Sequence, residues 1–517
     1  MENLMQSIAG INSIINEFVW VKLGLIMLLG TGILMTVLTK FFQIGHIGHW
    51  MKHTIGSLFK KEVSSHSKDR ASISQFQALC TALAATIGVG NIAGVSAAIV
   101  SGGPGAVFWM WVAAFFGMMT NYSENVLGIY YRRKNKNGEW SGGAMYYLAD
   151  GLGSYKYCKT PGRILAVLFS VFCIFASFGI GNMGQVNKIV ANMESAFSIP
   201  ALSDIRVGGV SLYALLIGIF VMLCVGLIIL GGLKRIANVT EKIVPFMVCL
   251  FIVGSLVIIF VNISHIGAAF RSVFLTAFTP KAAWGGAAGL VLKNVITWGF
   301  KRGIFSNEAG LGSSVMVHSN SNIKEPVRQG MWGIFEVFAD TMIVCTMTAL
   351  VILTSGVIDL ETGILAAGTS GDATLVAKAF DTVFAFGGIN FGSMFIAVAV
   401  FLFAFTTILG WSHYGTKAWE YLFGTKSTII YKLVFLAVIT LGSLMSSSLA
   451  WDISDTFNAL MMIPNLIGVV ALSGLVFRIT NNYIDREIRG KQNIQPMLSA
   501  FDSIQKEHEA IKENVIQ

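Results

Sequence analysis

The chain has 517 residues, 54% of them hydrophobic and 12% charged, with a mean hydropathy of +0.69 and a formal net charge of +9. Soluble domains carry about 25% charged residues, so this composition excludes a soluble protein and places the chain in a membrane. Most of the positive charge lies in loops between apolar runs, so it indicates no nucleic-acid partner.

Apolar runs long enough to cross a bilayer, which takes about 20 residues, recur along the whole chain. They predict an all-α polytopic membrane protein with 11 spans. The predicted spans are 18–41, 76–101, 105–131, 163–191, 209–231, 243–262, 285–318, 331–355, 388–411, 430–447 and 456–478.

Lys and Arg residues concentrate in alternate loops, which predicts the orientation of the spans. The basic loops are 42–75, 132–163, 232–242, 319–329 and 411–429, together with the tail 479–517. The loops on the other side carry Arg206, Arg271, Lys281 and Lys378. Because cytoplasmic loops are the positive ones, we expect a multi-pass cell-membrane protein with its N-terminus outside and its C-terminus in the cytoplasm.

The second predicted span is interrupted at its centre. Residues 81–94 read TALAATIGVGNIAG and include Gly88, Gly90, Asn91 and Gly94. Glycine weakens a helix by about 1 kcal/mol relative to alanine. A helix that breaks inside a bilayer leaves backbone groups without partners unless the break lines a cavity. Secondary transporters build their substrate and ion sites from such broken helices.

A second interrupted span begins at Gly285 and reads GGAAGLVLKNVITWGFKRGIFSNEAGLGSSVMVHS. Gly299, Gly303, Gly310 and Gly312 predict where its helix is interrupted. Charges at this depth usually face a cavity or one another. Two interpretations therefore stay open for Lys301 and Arg302: an ion pair with Glu308 or Glu336, or a position that faces a cavity.

Four spans separate the two breaks and four follow the second one, which predicts two five-helix repeats. An odd number of spans per repeat gives the repeats opposite topology, and matched interrupted segments are the sequence pointer to an inverted repeat. The predicted parts are an N-terminal region with a peripheral helix and a cytoplasmic loop (1–75), a first repeat (76–262), a second inverted repeat (263–478) and a cytoplasmic tail (479–517).

Long motifs identify a family that the chain closely resembles, the alanine or glycine:cation symporters. They are ISQFQALCTALAATIGVGNIAGVSAAIVSGGPGAVFWMWVAAFFGM at 73–118, GGAMYYLADGL at 142–152, GNMGQVNKI at 181–189, RGIFSNEAGLGSS at 302–314 and FAFTTILGWSHYG at 403–415. The departures are small: Ala339 precedes Asp340, and Ala144 replaces a more usual proline. The resemblance implies sodium-driven uptake of small amino acids and a LeuT-type five-plus-five fold with one extra N-terminal helix.

A zwitterionic amino acid needs donors for its carboxylate and acceptors for its ammonium group, and unwound backbone supplies both. The helix that follows Asn91 would point its positive N-terminal end at the cavity. The sequence therefore predicts a substrate site of which Val89 and Gly90 supply carboxylate donors. The GVGN string also resembles the GxGN motif of neurotransmitter sodium symporters, where these amides hold the carboxylate. The remaining predicted members of the site are Thr86, Gly88, Asn91, Gln185, Phe305, Ser306 and Trp411.

Adjacent hydroxyls at Thr406 and Thr407 predict a sodium site deep in the eighth core span. The resemblance implies carbonyls of Ala84, Ile87 and Phe403 as their partners. The alternative is that each threonine bonds back to the carbonyl four residues earlier. Asn91, Ser306 and Asp340 form a second candidate cation site by analogy.

The predicted function is sodium-coupled symport of alanine or glycine, and the alternative is a proton-coupled symporter for small amino acids. We expect sodium as the coupling ion, no organic cofactor, membrane lipid as a partner and no nucleic acid. A channel would need repeated filter segments. An enzyme would need a motif such as HExxH or GxSxG, and the sequence has neither feature. The preference among L-alanine, D-alanine and glycine, the stoichiometry, the conformational state and the oligomeric state stay open.

Overall fold

The structure of the protein is a computed structural model that includes backbone and side chains. It covers residues 2–58, 72–197, 199, 202, 204–207, 210–278, 292–360, 363–445 and 448–516. Within these ranges the chain is mostly helical, and strands occur only as three antiparallel two-residue pairs.

The helices of the first half are α1 (Glu2–Glu17), α2 (Leu25–Leu38), α3 (Phe42–Gly45), α4 (Ile47–His53), α5 (Gln75–Thr86), α6 (Ala93–Gly102), α7 (Gly105–Tyr130), α8 (Ala144–Tyr146), α9 (Lys159–Phe178), α10 (Gly184–Ala196), α11 (Leu212–Ile229), α12 (Gly232–Val261) and α13 (Ile266–Phe278). Wider π-helical turns at Phe18–Gly24 and Gly179–Met183 join α1 to α2 and α9 to α10.

The helices of the second half are α14 (Leu292–Asn307), α15 (Val315–His318), α16 (Pro326–Val337), α17 (Thr346–Thr354), α18 (Ala373–Asp381), α19 (Phe391–Phe423), α20 (Thr428–Leu444), α21 (Ser448–Ala471), α22 (Ser473–Tyr483) and α23 (Asp502–Ile516). A π-helical segment, Phe338–Cys345, joins α16 to α17, and another, Ile484–Ile488, continues α22.

Short hairpin strands lie in the connections between helices. β1 (Arg133–Lys134) pairs with β2 (Trp140–Ser141), β3 (Arg206–Val207) with β4 (Val210–Ser211), and β5 (Ala385–Phe386) with β6 (Ile389–Asn390).

Eight described helices are long and apolar enough to cross a membrane, and a ninth span results if the bent pair Gln75–Thr86 and Val89–Gly102 is one broken helix. The 26 residues of α7 extend over about 39 Å, which also suffices to cross. Residues 285–291 of the predicted seventh span lie outside the described residues. The predicted count of 11 spans therefore stays a prediction.

Two glycines predicted to interrupt the seventh span instead serve helix packing. α14 continues without a break through Gly299 and Gly303. A Cβ at Gly299 would lie 2.5 Å from the Ala106 carbonyl oxygen, and one at Gly303 would lie 3.3 Å from the Met110 Cα, so both glycines let α14 approach α7 closely. For these two residues the predicted interruption is wrong.

The C-terminal tail packs back onto the loop that follows α7. The Ala500 N–H donates to the Tyr130 carbonyl, and Lys134 Nζ lies 2.9 Å from Glu507 Oε1. The buried guanidinium of Arg132 donates to the carbonyls of residues 319, 321 and 323, which precede α16. The tail thus contacts the same face of the molecule as the connections after α7 and before α16.

Candidate functional site

The first break separates α5 from α6 and bends the pair by 60°. α5 starts at a capping box made by Ser74 and Gln77 and ends at Thr86. Gly88 is extended, with φ −130° and ψ −159°, and Val89–Asn91 form a single 3₁₀ turn before α6 begins. The interruption that the glycines predict in this span is confirmed.

Close approach of α19 explains why position 88 requires glycine. A Cβ at Gly88 would lie 2.6 Å from Thr407 Oγ1, closer than side-chain carbons approach other atoms. One turn away, a Cβ at Gly410 would lie 2.6 Å from the Ala85 Cβ. The end of α5 therefore lies directly against α19.

Two backbone N–H groups at the first break have no hydrogen-bond partner among the described residues. Gly88 donates its N–H to Asn91 Oδ1 at 2.9 Å. No hydrogen bond among the described residues uses the N–H groups of Val89 or Gly90. Both precede the first turn of α6, whose own N–H groups lack partners within the helix. This combination makes a binding surface for negative charge.

A buried polar cluster holds the break to the π-helical segment Phe338–Cys345. Asn91 Nδ2 donates to Asp340 Oδ1 at 2.6 Å, and Ser306 Oγ donates to Asp340 Oδ2 at 2.8 Å. Thr341 donates to the same Oδ2, and Thr348 donates to the Asn91 carbonyl, each at 2.8 Å. The structure thus brings together Asn91, Ser306 and Asp340, the three predicted members of the second candidate cation site.

A cavity of about 120 Å³ lies between the first break, α10 and α14. It is lined by Val89, Gly90, Ala93, Gly94, Ala97, Gln185, Lys188, Arg302, Phe305, Gly371 and Asp372. Val89, Gly90, Gln185 and Phe305 are predicted substrate ligands, so the structure gathers these four at one cavity. A Cβ at Gly90 would lie 3.4 Å from the Phe305 ring, which shows how close the two walls are.

Acceptors that lack a partner, or the donor that a continuous helix would supply, lie in the same region. Gln185 Oε1 is buried without a hydrogen-bond partner in the described part of the chain, while its Nε2 donates to the Ile180 carbonyl. At the end of α14, the Ala309 N–H donates to Asn307 Oδ1 rather than to the Phe305 carbonyl four residues earlier. The Gly310 N–H donates to Glu124, which withdraws the same bond from the Ser306 carbonyl.

Five predicted substrate residues lie outside the cavity lining: Thr86, Gly88, Asn91, Ser306 and Trp411. Trp411 is 1% exposed, donates to Glu308 Oε1 at 2.9 Å, and packs on Gly181. Thr86 donates to the Ala82 carbonyl at 3.3 Å within α5. Their assignment to the substrate site stays a prediction.

The predicted sodium ligands converge only in part. Thr407 Oγ1 donates to the Phe403 carbonyl and faces Gly88. Thr406 Oγ1 donates to the Leu402 and Phe403 carbonyls and lies 3.4 Å from the Met247 sulfur on α12. Both hydroxyls therefore make the bonds within their own helix that the alternative interpretation describes, and Thr407 alone is shown to face the first break.

Ala84 and Ile87 are both buried at the end of α5, next to Gly88. The Gly88 N–H, which would reach the Ala84 carbonyl in a continuous helix, goes to Asn91 instead. The break thereby removes a helical donor from a predicted sodium-ligating carbonyl.

The second break follows α14 and is filled by the protein's own carboxylates. Glu308, Gly310 and Gly312 adopt positive φ angles of 55°, 91° and 72°. The carboxylate of Glu124 on α7 accepts from the backbone N–H groups of Gly310 and Gly312 and from Asn465. Interruption at these two glycines is confirmed.

Side chains of the second break complete this arrangement. Asn465 Nδ2 also donates to the Gly310 carbonyl at 2.9 Å, and Tyr147 donates to Asn465 Oδ1. The Glu308 carboxylate accepts from Ser313 and Trp411. The N–H groups of Gly310 and Gly312 and the Gly310 carbonyl are therefore satisfied from within the chain.

Of the two interpretations for the deep charges, the ion pair with Glu308 or Glu336 is wrong, and Arg302 faces a cavity. Lys301 Nζ lies 3.1 Å from Asp455 Oδ2 on α21. Arg302 stacks over the rings of Trp298 and Phe305, at 5.1 and 5.8 Å from their centroids, and lines the cavity. Glu336 instead accepts from Asn121 and pairs with His318 at 3.0 Å.

Three charged residues of the cavity are absent from the predicted substrate site: Lys188, Arg302 and Asp372. They come from α10, α14 and the start of α18, so no sequence pattern joins them. In the described part of the chain, no group of three or more His, Cys, Asp or Glu residues could hold a metal ion. Any bound cation there would depend on carbonyl, hydroxyl and single carboxylate oxygens.

Comparisons with known proteins agree with one another. The model of the sodium:alanine symporter family matches residues 5–497. The sodium/alanine symporter AgcS of Methanococcus maripaludis is 42% identical over 477 residues, which cover 92% of this chain and 96% of that protein. An uncharacterized transporter of Haemophilus influenzae is 41% identical over 484 residues, covering 93% and 97%.

Among solved structures, that of MhsT in complex with L-phenylalanine superposes with a TM-score of 0.52 at 11% identity. It covers 80% of this chain and 99% of that one. At this identity the likeness concerns the fold alone, and it confirms the predicted LeuT-type architecture.

Proposed function

The chain belongs to the sodium:alanine symporter family, and on that premise we propose that it takes up alanine or glycine together with sodium through the cavity at the first break. It is a multi-pass membrane transporter and a cation-coupled alanine symporter rather than an enzyme. Sodium is the coupling ion that the family implies.

The observation that carries this proposal is the pair of open N–H groups at Val89 and Gly90 on the cavity wall. A carboxylate that accepts from these groups also lies at the positive end of α6. Hydrogen bonds to a charged acceptor are about twice as strong as neutral ones. Arg302, on the opposite wall, adds positive charge to the same region.

The ammonium group of the substrate finds acceptors opposite. Gln185 Oε1 has no hydrogen-bond partner among the described residues and belongs to the cavity lining. Because a buried acceptor without a partner costs about 1–3 kcal/mol, a substrate ammonium that bonds to it recovers that cost. Carbonyls of Phe305 and Ser306 are the further proposed acceptors.

The size of the cavity supports a small substrate. Pockets for drug-sized ligands measure about 300–1,000 Å³, whereas this one measures about 120 Å³. The Phe305 ring stands 3.4 Å from the position of a Cβ at Gly90 and limits the space beside the backbone. Alanine and glycine therefore fit the cavity better than leucine does.

For sodium we propose the oxygens of Thr406, Thr407 and Phe403 together with those of Ala84 and Ile87. Support comes from the contact of Thr407 with Gly88 and from the broken helical bond at Ala84. Asn91, Ser306 and Asp340 are the proposed second cation site. A proton on Asp340 is the alternative coupling ion, since this carboxylate is fully buried beside the substrate cavity.

Uptake of labelled alanine into proteoliposomes tests the proposal. A sodium gradient at equal internal and external pH should drive accumulation, and replacing sodium by choline should abolish it. Adding a protonophore should leave this sodium-driven uptake of alanine unchanged. If alanine accumulated in sodium-free buffer under a pH gradient, the coupling ion would be the proton. If neither alanine nor glycine were taken up under either gradient, the proposed substrate would be refuted.

A further inference from the structure

A second cavity, of about 300 Å³, lies at the opposite end of α5 from the first break. Its walls come from Gln75 at the start of α5, the connection 322–325, the first turn of α16, and the tail residues Glu487, Leu498 and His508. It therefore lies where the C-terminal tail meets the transport domain, on the predicted cytoplasmic face. Nothing in the transport reaction proposed above uses these residues.

The charges around this cavity do not cancel. Arg486 lies 2.8 Å from Glu325 Oε2 and 3.4 Å from Glu487 Oε1, so one guanidinium serves both carboxylates of the cavity wall. Among the described residues, neither Lys324 nor Arg328 has a carboxylate within salt-bridge distance. Lys324 and Arg328 therefore have no carboxylate partner in this part of the chain, and these five charged groups (three cations and two carboxylates) sum to +1.

The pKa of His508 is lowered partly by the positive charges near the cavity. Its side chain is 3% exposed, and its Nδ1 has no hydrogen-bond partner in the described part of the chain. Burial, with the positive charges of Arg132 and Lys324, lowers the pKa of His508 to about 4, and Glu507 opposes this effect. At neutral pH the imidazole is therefore uncharged and can donate one N–H to an anion.

The local backbone adds to this field. α16 begins with Pro326, and Arg328 lies in its first turn, where the helix end carries partial positive charge. Arg presents a planar fork of donors and Lys a compact charge, and together they are common ligands of phosphate groups. A phosphate carries a charge of about −1.5 to −2 at pH 7, and it would give Lys324 and Arg328 the negatively charged partner that they lack among the described carboxylates.

We propose that this cavity binds a phosphate group, held by Lys324 and Arg328 of the transport domain and by His508 of the tail. The group comes either from an anionic lipid headgroup or from a free phosphate compound. Because its ligands belong to both sides of the cavity, the bound phosphate fastens the tail to the start of α5 and α16. Occupancy therefore stabilises the docked tail.

Binding is measured on the full-length protein in nanodiscs by thermal unfolding and by amide hydrogen exchange of Asp502–Ile516. One arm adds inorganic phosphate or glycerol phosphate to phosphatidylcholine discs, and the other compares phosphatidylglycerol with phosphatidylcholine discs in phosphate-free buffer. Stabilisation and slower exchange in the first arm identify a free phosphate, and the same result in the second arm alone identifies a lipid headgroup. No effect in either arm overturns the proposal.

The variant is Lys324→Gln/Arg328→Gln, and the matched control is Lys136→Gln/Lys426→Gln, which removes two exposed lysines. Loss of charge-assisted hydrogen bonds should weaken phosphate binding in the variant by at least about tenfold. The control should bind as the unmodified protein does. If the double variant is unstable, Lys324→Gln alone serves, with an expected loss of about tenfold. If the control lost phosphate affinity to the same extent, general surface charge would explain the effect, and the proposed site would be overturned.

Discussion

The two helix breaks are alike in sequence and opposite in how their backbone is satisfied. At the first break, Val89 and Gly90 line a cavity, and their N–H groups have no partner among the described residues. At the second, the N–H groups of Gly310 and Gly312 donate to the buried carboxylate of Glu124. An internal carboxylate thus occupies at the second break the kind of position that stays open at the first.

This difference suggests that the first break serves ligand binding and the second serves the stability of the fold. A carboxylate fixed by the protein keeps a broken helix stable without a ligand, because every buried polar group then has a partner. An open break has a partner only when a ligand arrives, and the protein gains the binding energy at that moment. We therefore expect changes at the first break to alter ligand affinity and changes at the second to alter stability.

The largest expected effect comes from Gly90→Val. The Cβ alone would lie 3.4 Å from the Phe305 ring, and the two additional methyl groups would fill the space of the substrate. Alanine affinity should fall by more than about 100-fold, which corresponds to about 2.7 kcal/mol. Calorimetric titration of purified protein measures this.

Gly94→Ala is the control for that experiment, because its Cβ would meet no atom closer than Arg302 Cδ at 3.9 Å. It should bind alanine nearly as the unmodified protein does. A Gly90→Val protein that keeps its affinity would show that the first break is not the carboxylate site.

Glu124→Ala should act in the opposite way. It leaves the N–H groups of Gly310 and Gly312 and the amide of Asn465 without their acceptor. Each unsatisfied buried donor costs about 1–3 kcal/mol, so the unfolding free energy should fall by about 3 kcal/mol or more. Thermal unfolding measures the loss, and alanine affinity of the protein that remains folded should change little. An unchanged melting temperature with lost affinity would reverse the roles of the two breaks.

Thr407→Val and Thr406→Val sharpen the comparison further, since both changes remove a hydroxyl and keep the side-chain shape. Thr407 faces Gly88 at the first break, whereas Thr406 lies beside Met247. Thr407→Val should therefore raise the sodium concentration for half-maximal uptake by about tenfold, as expected for a lost ligand of a charge. Thr406→Val should raise it less. If both variants kept the sodium activation of the unmodified protein, α19 would not contribute to the sodium site.

The sequence predicts the first break well because its signal is local. Gly88, Gly90 and Asn91 lie within one turn of each other, and the structure ends α5 and begins α6 around them. The LeuT-type fold also follows from the family motifs. Gly299 and Gly303 misled the prediction because a glycine that breaks a helix and one that lets two helices pack look identical in a sequence.

Charged residues at depth could not be paired from sequence, because their partners lie on distant helices. Lys301 pairs with Asp455 from α21, and Arg302 turns into the cavity beside Asp372. The rule that buried charges face a partner or a cavity held for both residues, but it names no partner. The same limit applies to Glu124, whose acceptor role depends on two glycines that lie far along the chain at the second break.

The smallest expected effect is the most selective test of the open break. Gln185 keeps its Nε2 on the Ile180 carbonyl while its Oε1 stays unpartnered at the cavity. If that oxygen accepts from the substrate ammonium, Gln185→Leu should weaken alanine binding by about fivefold, the value of one hydrogen bond of about 1 kcal/mol. Propionate lacks the ammonium group, so its weaker binding should not change. In a double-mutant cycle on protein and ligand, the two losses should fail to add. Equal weakening of alanine and propionate would mean that Gln185 supports the wall of the cavity and contacts no ammonium.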